Sequence, residues 1–517
     1  MPNPQMLIGV YNMKLGFDNE KYLSEQSEEI RRRAERFGKL YLEFGGKLMN
    51  DFHAARCLPG YDPNVKLRLL QSLGDQAEIL IAIYSGDIEH KKMRADFGIS
   101  YADDALKLID DLKGLGLLVR GIVITRYAGQ PAALQFRQRL ENRGINVWFH
   151  YVTQGYPADV ATIVSDNGYG KNDYVPTERP IVVVTAPGPG SGKFATCLSQ
   201  IYHESRQGRK AGYSKFESFP VWNMPLEHPL NVAYEAATID LKDFNMIDPY
   251  HLQAYGKTTV NYNRDVEAYP LLRAIWEKMT DGECPYKSPT DMGVNRIGFG
   301  IIDDDIVREA SKQEVIRRNL RHLCDFALGV TDRDSVARVD ALMHKLDLKN
   351  EDRIPVEAAR QAVQDAKDAS KGKAGGSVVS GAAIQLKDGR IVTGHNSDEL
   401  HATAAMILNA VKLLAGIPNQ IHLIAPNIIQ SIAHMKRDIL KGGYTSLNLD
   451  EALIGLAISC TTNPAAAIAT EKLAELRSCE VHLTHIAPPG DQAGLRRLGI
   501  RFTCDPYFAT KALFAGQ

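Results

Sequence analysis

The chain lacks the sequence features of secreted and membrane-spanning proteins. Its seven cysteines are scattered and odd in number, and none pairs as CxxC, so neither a disulfide framework nor a zinc knuckle is expected. Its apolar runs, such as residues 180–187, are far shorter than the roughly 20 residues of a membrane-spanning helix. The first residues show no basic segment followed by an apolar stretch, so we expect no secretory signal. These absences predict a cytoplasmic protein with no membrane partner.

The chain also lacks an excess of charge of either sign. Lys and Arg number 61 against 62 Asp and Glu, which gives a formal net charge of −1. Proteins that bind nucleic acid usually carry a positive surplus, so no nucleic acid partner is expected. The length of 517 residues exceeds what one hydrophobic core supports, so the sequence predicts several domains.

The first half of the chain alternates short β-branched runs with amphipathic segments. The strand patterns lie at 39–44, 77–84, 119–126, 146–152 and 180–186. The helical patterns between them lie at 19–37, 63–73, 101–115 and 130–143. This alternation predicts an α/β fold with a mainly parallel, doubly wound sheet. Ligands of such sheets bind outside the carboxyl ends of the strands, so the loops that follow strands are the first places to search.

The remainder of the chain predicts two further parts. Helical periodicity dominates at 263–280, 305–327, 333–346 and 355–369, which indicates a helical insertion. A Gly-, Lys- and Ser-rich stretch at 368–377 is typical of a linker. Beyond it, a hairpin pattern around Asp388–Gly389 and later helices and strands, one of them at 421–425, indicate a smaller α/β subdomain. We therefore expect domains at 1–226, 227–370 and 371–517.

The strongest functional pattern is a glycine-rich loop between a buried strand and an amphipathic helix, in the string PIVVVTAPGPGSGKFATCLSQ at 180–200. Glycines allow consecutive backbone N–H groups to turn toward an anion, and the helix N-terminus adds unpaired donors. A lysine would neutralise a bound phosphate group, and a hydroxyl in the first helical turn could assist. The candidate phosphate-binding residues are Gly188, Gly190, Ser191, Gly192, Lys193 and Thr196.

The loop departs from the P-loop pattern GxxxxGK[ST] at two positions. Pro187 stands at the first glycine, and Phe194 replaces the hydroxyl residue that binds magnesium. No hydrophobic strand ending in aspartate follows downstream. The sequence thus favours phosphate binding over a turn that serves only strand-to-helix packing, and it supports nucleotide hydrolysis less strongly.

Polar side chains are dense at 215–265 and 286–300. They could line a substrate cleft or form a structural hydrogen-bond network, and sequence alone leaves both interpretations open. The candidate cleft residues are Lys215, Glu217, His228, Asn231, Glu235, Asp240, Lys287, Asp291 and Asn295.

The last predicted subdomain resembles the cytidine-deaminase-like fold without its chemistry. His401 matches the metal-binding histidine of working deaminases, but Thr403 stands where the glutamate belongs. Residues 426–430 carry PNIIQ in place of the cysteine motif. Catalytic zinc needs about three protein ligands, so no zinc is expected.

Several long strings show a wider resemblance, among them KLYLEFGGK, VVTAPGPGSGK, GYSKFESFPVWN and KSPTDMGVNRIGFGIIDD. Together they resemble the bacterial domain-of-unknown-function family numbered eighteen forty-six over nearly the whole chain. The resemblance implies a P-loop-like α/β domain, a helical insertion and a deaminase-like C-terminal part. It implies no established activity and no catalytic residues, and the sequence contains no HExxH motif that would support a peptidase.

Three functional hypotheses follow, and the sequence leaves open whether the chain is an enzyme. The first is an enzyme that uses ATP or GTP with magnesium and acts on a small molecule. The second is a non-catalytic binding or scaffold protein that holds a phosphorylated small molecule or nucleotide. The third, less favoured, is a zinc hydrolase or deaminase. A homo-oligomer is the expectation for a large α/β protein.

Overall fold

The computed structural model describes residues 15–46, 48–94, 99–369, 379–443 and 445–510. The chain divides into two compact units between Ser311 and Lys312. The three-domain division expected from the sequence stays a prediction, and residues 370–377 of the expected linker lie outside the described residues. In the described part of the chain, no helix combines the length and apolar character needed to cross a membrane.

The first unit is built on a seven-stranded sheet with the order β11-β8-β1-β7-β2-β5-β6. All of its neighbouring strands run parallel. The pairs β3-β4 and β9-β10 are separate and antiparallel. The strands of the unit are β1 Leu40–Phe44, β2 Ala77–Tyr84, β3 Met93–Arg94, β4 Ile99–Ser100, β5 Val119–Tyr127, β6 Asn146–Tyr151, β7 Ile181–Thr185, β8 Gly212–Phe216, β9 Asn245–Ile247, β10 Val260–Tyr262 and β11 Gly293–Val294.

Helices alternate with these strands because the sequence supplies caps and apolar faces at helical spacing. Asp18 caps the first helix by accepting hydrogen bonds from the N–H groups of Glu20 and Lys21. The helices are α1 Asn19–Phe37, α2 Phe52–Cys57, α3 Val65–Leu73, α4 Ser85–Glu89, α5 Tyr101–Gly114, α6 Pro131–Glu141, α7 Val160–Ile163, α8 Lys193–Arg206, α9 Pro229–Ala237, α10 Pro249–Tyr255, α11 Asn263–Thr280, α12 Pro289–Met292 and α13 Asp304–Ala327, which contains the division between the units.

The predicted α/β class with a large parallel sheet is confirmed. All five residues of β1 and of β7 are buried, as expected for central strands covered on both faces. The apolar side chains of β7 pack in one core with those of α8 and α11. The predicted helical region contains its helices, but it also contributes the edge strand β11 to the main sheet.

The second unit contains a smaller mixed sheet with the order β13-β12-β14-β15. The first two pairings are antiparallel and the last is parallel. The predicted hairpin is confirmed, with Gly389 in a left-handed conformation at its turn (φ 87°). The elements are α14 Arg333–Lys345, α15 Ile354–Ala369, β12 Gly381–Gln385, β13 Ile391–His395, α16 Ala402–Ala415, α17 Pro426–His434, α18 Leu449–Ser459, α19 Pro464–Glu471, β14 Glu480–Leu483, α20 Pro489–Arg497 and β15 Arg501–Cys504.

The strand predicted at 421–425 was wrong, because these residues join no sheet. Leu423 and Ile424 are buried in the core of the unit, which explains the apolar run. Side chains satisfy the backbone in place of a neighbouring strand: the Asn463 amide donates to the His422 carbonyl at 2.9 Å. An apolar run of this length indicates burial but does not specify a strand.

Candidate functional site

The glycine-rich loop lies at the carboxyl edge of the parallel sheet, directly after the central strand β7. Strand β7 pairs with β1 on one side and with β2 on the other. The loop ends at Lys193, the first residue of α8. Gly190 and Gly192 have φ values of 67° and 87°. These left-handed conformations favour glycine and turn the backbone sharply into the helix.

Two glycines of the loop pack closely against neighbouring side chains. A Cβ atom at Gly188 would lie 2.7 Å from the ring of Tyr101, and one at Gly192 would lie 2.9 Å from Thr125 Oγ1. The Thr125 hydroxyl also donates a hydrogen bond of 2.6 Å to the carbonyl of Ser191. The end of β5 therefore holds the loop in place, and larger residues at these glycines would displace it.

The loop presents hydrogen-bonding groups that lack protein partners. Ser191 is only 3% exposed, and its hydroxyl has no hydrogen-bond partner among the described residues. Helix α8 has no side-chain cap, because its N-cap residue is Gly192. Its first N–H groups therefore have no side-chain cap, and the enclosed Ser191 hydroxyl beside them is a buried polar group without a partner, which is costly.

The first turn of α8 differs from the turn of a P-loop helix in its side-chain roles. The Thr196 hydroxyl donates to the carbonyl of Gly192 at 3.0 Å, so its proton is used within the helix. The ring of Phe194 packs edge-on against Tyr213 with centroids 5.4 Å apart. An aromatic contact thus occupies the position where a P-loop carries its magnesium-binding hydroxyl.

Arg126 is a loop-contacting residue that the sequence reasoning missed. Its guanidinium lies 3.5 Å from the centroid of the Tyr84 ring and donates to the carbonyl of Gly190. Its backbone has a φ of 50°, an uncommon conformation for a residue with a long side chain. The available signal was its position at the end of a predicted strand of a parallel sheet, where ligand-binding residues concentrate.

A cluster of charged side chains lies beside the loop, and we call it the Lys215 cluster. Lys215 Nζ is 2.6 Å from Glu217 Oε1 and also forms an ion pair with Asp265. Glu43 accepts a 2.8 Å hydrogen bond from the hydroxyl of Tyr213. The cluster comprises Glu43, Tyr213, Lys215, Glu217 and Asp265. Of the predicted cleft residues, it includes Lys215 and Glu217.

Strand register places this cluster at the same edge of the sheet as the loop. Glu43 on β1 pairs with Val184 of β7 on one side and with Lys215 of β8 on the other. Glu43 therefore lies between the strand that leads into the loop and the strand that carries Lys215. The contact between Phe194 and Tyr213 joins α8 to the same edge.

The electrostatics of the cluster favour a proton held near neutral pH. Burial raises the pKa of Glu217 to about 7, with a further increase from Asp265, although Lys215 opposes both. Burial would lower the pKa of Lys215, but Asp265, Glu217 and Glu43 raise it above its ordinary value. Lys215 therefore stays charged, and Glu217 can gain or lose a proton near pH 7.

Several other predicted cleft residues make hydrogen bonds that stabilise the fold. His228 caps α9 by accepting from the N–H of Leu230, and its Nε2 lies 3.0 Å from Asp304 Oδ1. Asn231 is fully buried and bonds to both the N–H and the carbonyl of Val221. These contacts supply a structural reason for both residues, and their role in a cleft stays a prediction.

The remaining candidates are also held by local contacts. Asp291 accepts hydrogen bonds from the backbone of Lys287 and from the hydroxyl of Tyr255, both at 2.8 Å. Asn295 donates to the carbonyl of Pro220 at 2.6 Å. Glu235 lies on α9 and Asp240 is exposed, and the role of these candidates in a cleft stays a prediction.

In the second unit, His401 Nδ1 lies within hydrogen-bond distance of the buried carboxylate of Asp491, at 2.9 Å. Asp491 also accepts a 2.7 Å hydrogen bond from the N–H of Leu449. Across the described ranges, no group of three or more His, Cys, Asp and Glu side chains is arranged to hold a metal ion. The resemblance of this unit to deaminases stays a prediction.

Comparisons with known proteins agree on one family. Residues 15–347 match the N-terminal part of the domain of unknown function DUF1846, and residues 351–514 match its C-terminal part. A UPF0371 protein of Clostridium tetani is 54% identical over 503 residues, which cover 97% of this chain and 99% of the relative. A UPF0371 protein of Clostridium botulinum strain Kyoto is 54% identical over 502 residues, with the same coverage.

Proposed function

Since the chain belongs to the DUF1846 family, whose description names no activity, we propose from its own residues that it binds phosphate or nucleotide. The loop at 186–193 would hold the phosphate group with the N–H groups of Gly190, Gly192 and Lys193, the hydroxyl of Ser191 and the Lys193 ammonium. Gly188 would allow the close approach of the backbone. Thr196 would contribute only an acceptor, because its proton is already bonded to Gly192.

The observation that carries this proposal is the unpartnered hydroxyl of Ser191. It is buried in a loop fixed from outside by Thr125, yet no described residue satisfies it. A buried hydroxyl left without a partner costs about 1–3 kcal/mol, so such groups usually serve a ligand or an ordered water. The uncapped N-terminus of α8 beside it favours an anion.

The catalytic version of this proposal is an enzyme that uses ATP or GTP with magnesium and acts on a small molecule. Phosphoryl transfer depends mainly on positioning and charge neutralisation, which the loop and Lys193 would supply. Lys215, Glu217 and Asp265 would face the second substrate. In such an enzyme, Phe194 stands where a hydroxyl residue usually binds magnesium, so other groups would have to coordinate the ion.

Calorimetric titration tests the proposal directly. Wild-type protein is titrated with inorganic phosphate, ATP and GTP, each with and without magnesium, alongside Lys193→Ala. Lys278→Ala, an exposed lysine on α11, is the matched control. We expect binding by wild type and Lys278→Ala and a loss of at least tenfold in affinity for Lys193→Ala. If no phosphate compound binds wild type at millimolar concentration, the proposal fails.

A non-catalytic metabolite-binding or scaffold protein is the second candidate. Phe194 at the magnesium position favours it, because the loop can then grip an anion without the ion that hydrolysis needs. Under this second candidate, we propose that the second unit has a deaminase-like ancestry. We also propose that the protein is cytoplasmic and acts as a homo-oligomer. Ligand stabilisation without turnover in a scanning-fluorimetry screen would support this candidate. Stoichiometric zinc in purified protein would instead favour a hydrolase or deaminase.

A further inference from the structure

The Lys215 cluster holds more negative than positive groups. Three carboxylates, Glu43, Glu217 and Asp265, surround the single ammonium of Lys215. Glu43 and Glu217 are largely buried, with 9% and 6% of their surface exposed. Like-charged carboxylates at short range in a poorly hydrated site do not all ionise together, so such a cluster tends to retain a proton.

The groups that face Glu217 come from several elements, and all of them bear on its protonation. Lys215 lies on β8, Glu43 on β1 and Asp265 in the first turn of α11, while Tyr213 on β8 bonds to Glu43. Tyr262 on β10 completes the set, and burial raises the pKa of its phenol, so it stays neutral. Among the described residues, Lys215 is the ammonium that pairs with Glu217, while Lys66 lies over the neighbouring Phe216 ring and pairs with Asp51.

We infer that the Lys215 cluster is a proton-exchange site for the ligand held by the loop, in which Glu217 takes up a proton when a tetrahedral dianion binds beside it. The inference rests on the proposed phosphate binding and adds a second role to the same edge of the sheet. The proton comes from solvent and is stored on the Glu217 carboxyl, between Lys215 and Asp265.

The physical cause is the charge that the anion adds. A dianion in the loop after β7 lies at the same edge of the sheet as the carboxyl ends of β1 and β8. Strand β1 neighbours β7 and carries Glu43, and β8, one strand further, carries Lys215 and leads to Glu217. Its negative charge disfavours the ionised form of Glu217 and therefore increases the affinity of Glu217 for a proton. Burial already places the pKa of Glu217 at about 7, so a modest increase produces measurable uptake at pH 7.5.

The test uses sulfate, a tetrahedral dianion that does not itself titrate near neutral pH. Sulfate is titrated calorimetrically into the full chain at pH 7.5 in two buffers with small and large ionisation enthalpies. The difference in observed heat gives the number of protons taken up per sulfate bound. We expect between about 0.3 and 0.7 proton for wild type, because a carboxyl with a pKa of about 7 already holds part of a proton at pH 7.5. For Glu217→Gln, we expect uptake below about 0.1 and sulfate binding at least as tight as that of wild type, since glutamine carries no charge at this position.

The control is Glu267→Gln, which removes an exposed carboxylate from α11 two residues from Asp265 and should match wild type. Asp265→Asn provides a second variant in case Glu217→Gln does not fold, and it should also reduce the uptake. Sulfate binding without proton uptake would overturn the inference and leave the proposed phosphate site intact. Unchanged uptake in a folded Glu217→Gln variant, or loss of its sulfate binding, would overturn it too. If sulfate does not bind wild type, the inference fails, whereas the proposed function fails only if phosphate and nucleotides do not bind either.

Discussion

Replacing Gly192 with alanine should lower the stability of the protein for two reasons, one from backbone conformation and one from packing. At a φ of 87°, an L-residue loses about 1–2 kcal/mol relative to glycine. The new Cβ atom would also lie 2.9 Å from Thr125 Oγ1, and that buried, β-branched side chain has little freedom to move. Displacing Thr125 weakens its hydrogen bond to Ser191, which adds about 1 kcal/mol. We therefore expect the free energy of unfolding to fall by about 2–3 kcal/mol.

Gly190→Ala is the matched control, because its φ is also left-handed at 67° but a Cβ there meets no atom within 4 Å. It should lower the free energy of unfolding by about 1–2 kcal/mol, without the further loss that the clash with Thr125 causes in Gly192→Ala. Urea unfolding followed by tryptophan fluorescence reports on this unit alone, since Trp148, Trp222 and Trp276 all lie before Ser311. Equal losses in the two variants would refute the argument that Thr125 fixes the loop.

Three further outcomes are expected. Glu217→Gln should raise the free energy of unfolding at pH 8 by about 1–3 kcal/mol in urea titrations, with a gain that shrinks toward pH 4.5. The reason is that a raised pKa makes wild type lose stability as pH rises from 4.5 through 7. Asp505→Asn should destabilise the second unit by about 2 kcal/mol at pH 7, measured by circular dichroism. Burial would raise the pKa of Asp505, but His482 and Arg360 outweigh it and lower the pKa to about 2. That contribution disappears as pH falls from about 4 through 2. Arg126→Ala should weaken phosphate binding about tenfold in calorimetry, and an unchanged affinity would exclude Arg126 from the site.

Much of the first unit could be predicted from the sequence because its central strands are continuous apolar runs. Strands β2 and β7 carry no competing polar pattern within their runs, so their positions were predicted to within a residue. Strand β8 was missed because Ser214 and Lys215 interrupt its apolar pattern. The structure explains both: Ser214 accepts a hydrogen bond from Arg33, and Lys215 pairs with Glu217 and Asp265. Whether such a segment forms a strand depends on side-chain partners that are distant in sequence. The local sequence pattern carries no information about those partners.

The candidate site shows the same division. The glycines of the loop could be identified because strand, glycine run and helix are contiguous in the sequence. Asp265 and Glu43 could not be assigned to the site, because only strand register and the start of α11 bring them to Lys215. Arg126 was missed because its approach to the loop depends on a left-handed backbone that the sequence does not announce.

A crystal structure of the protein grown with inorganic phosphate tests the central claim most directly. The account predicts a phosphate ion beside Gly190, within hydrogen-bond distance of the Ser191 hydroxyl and of the first N–H groups of α8. Lys193 Nζ should contact the same ion. A well-ordered loop with no anion at saturating phosphate, and with Ser191 bonded only to protein or water, would contradict the account.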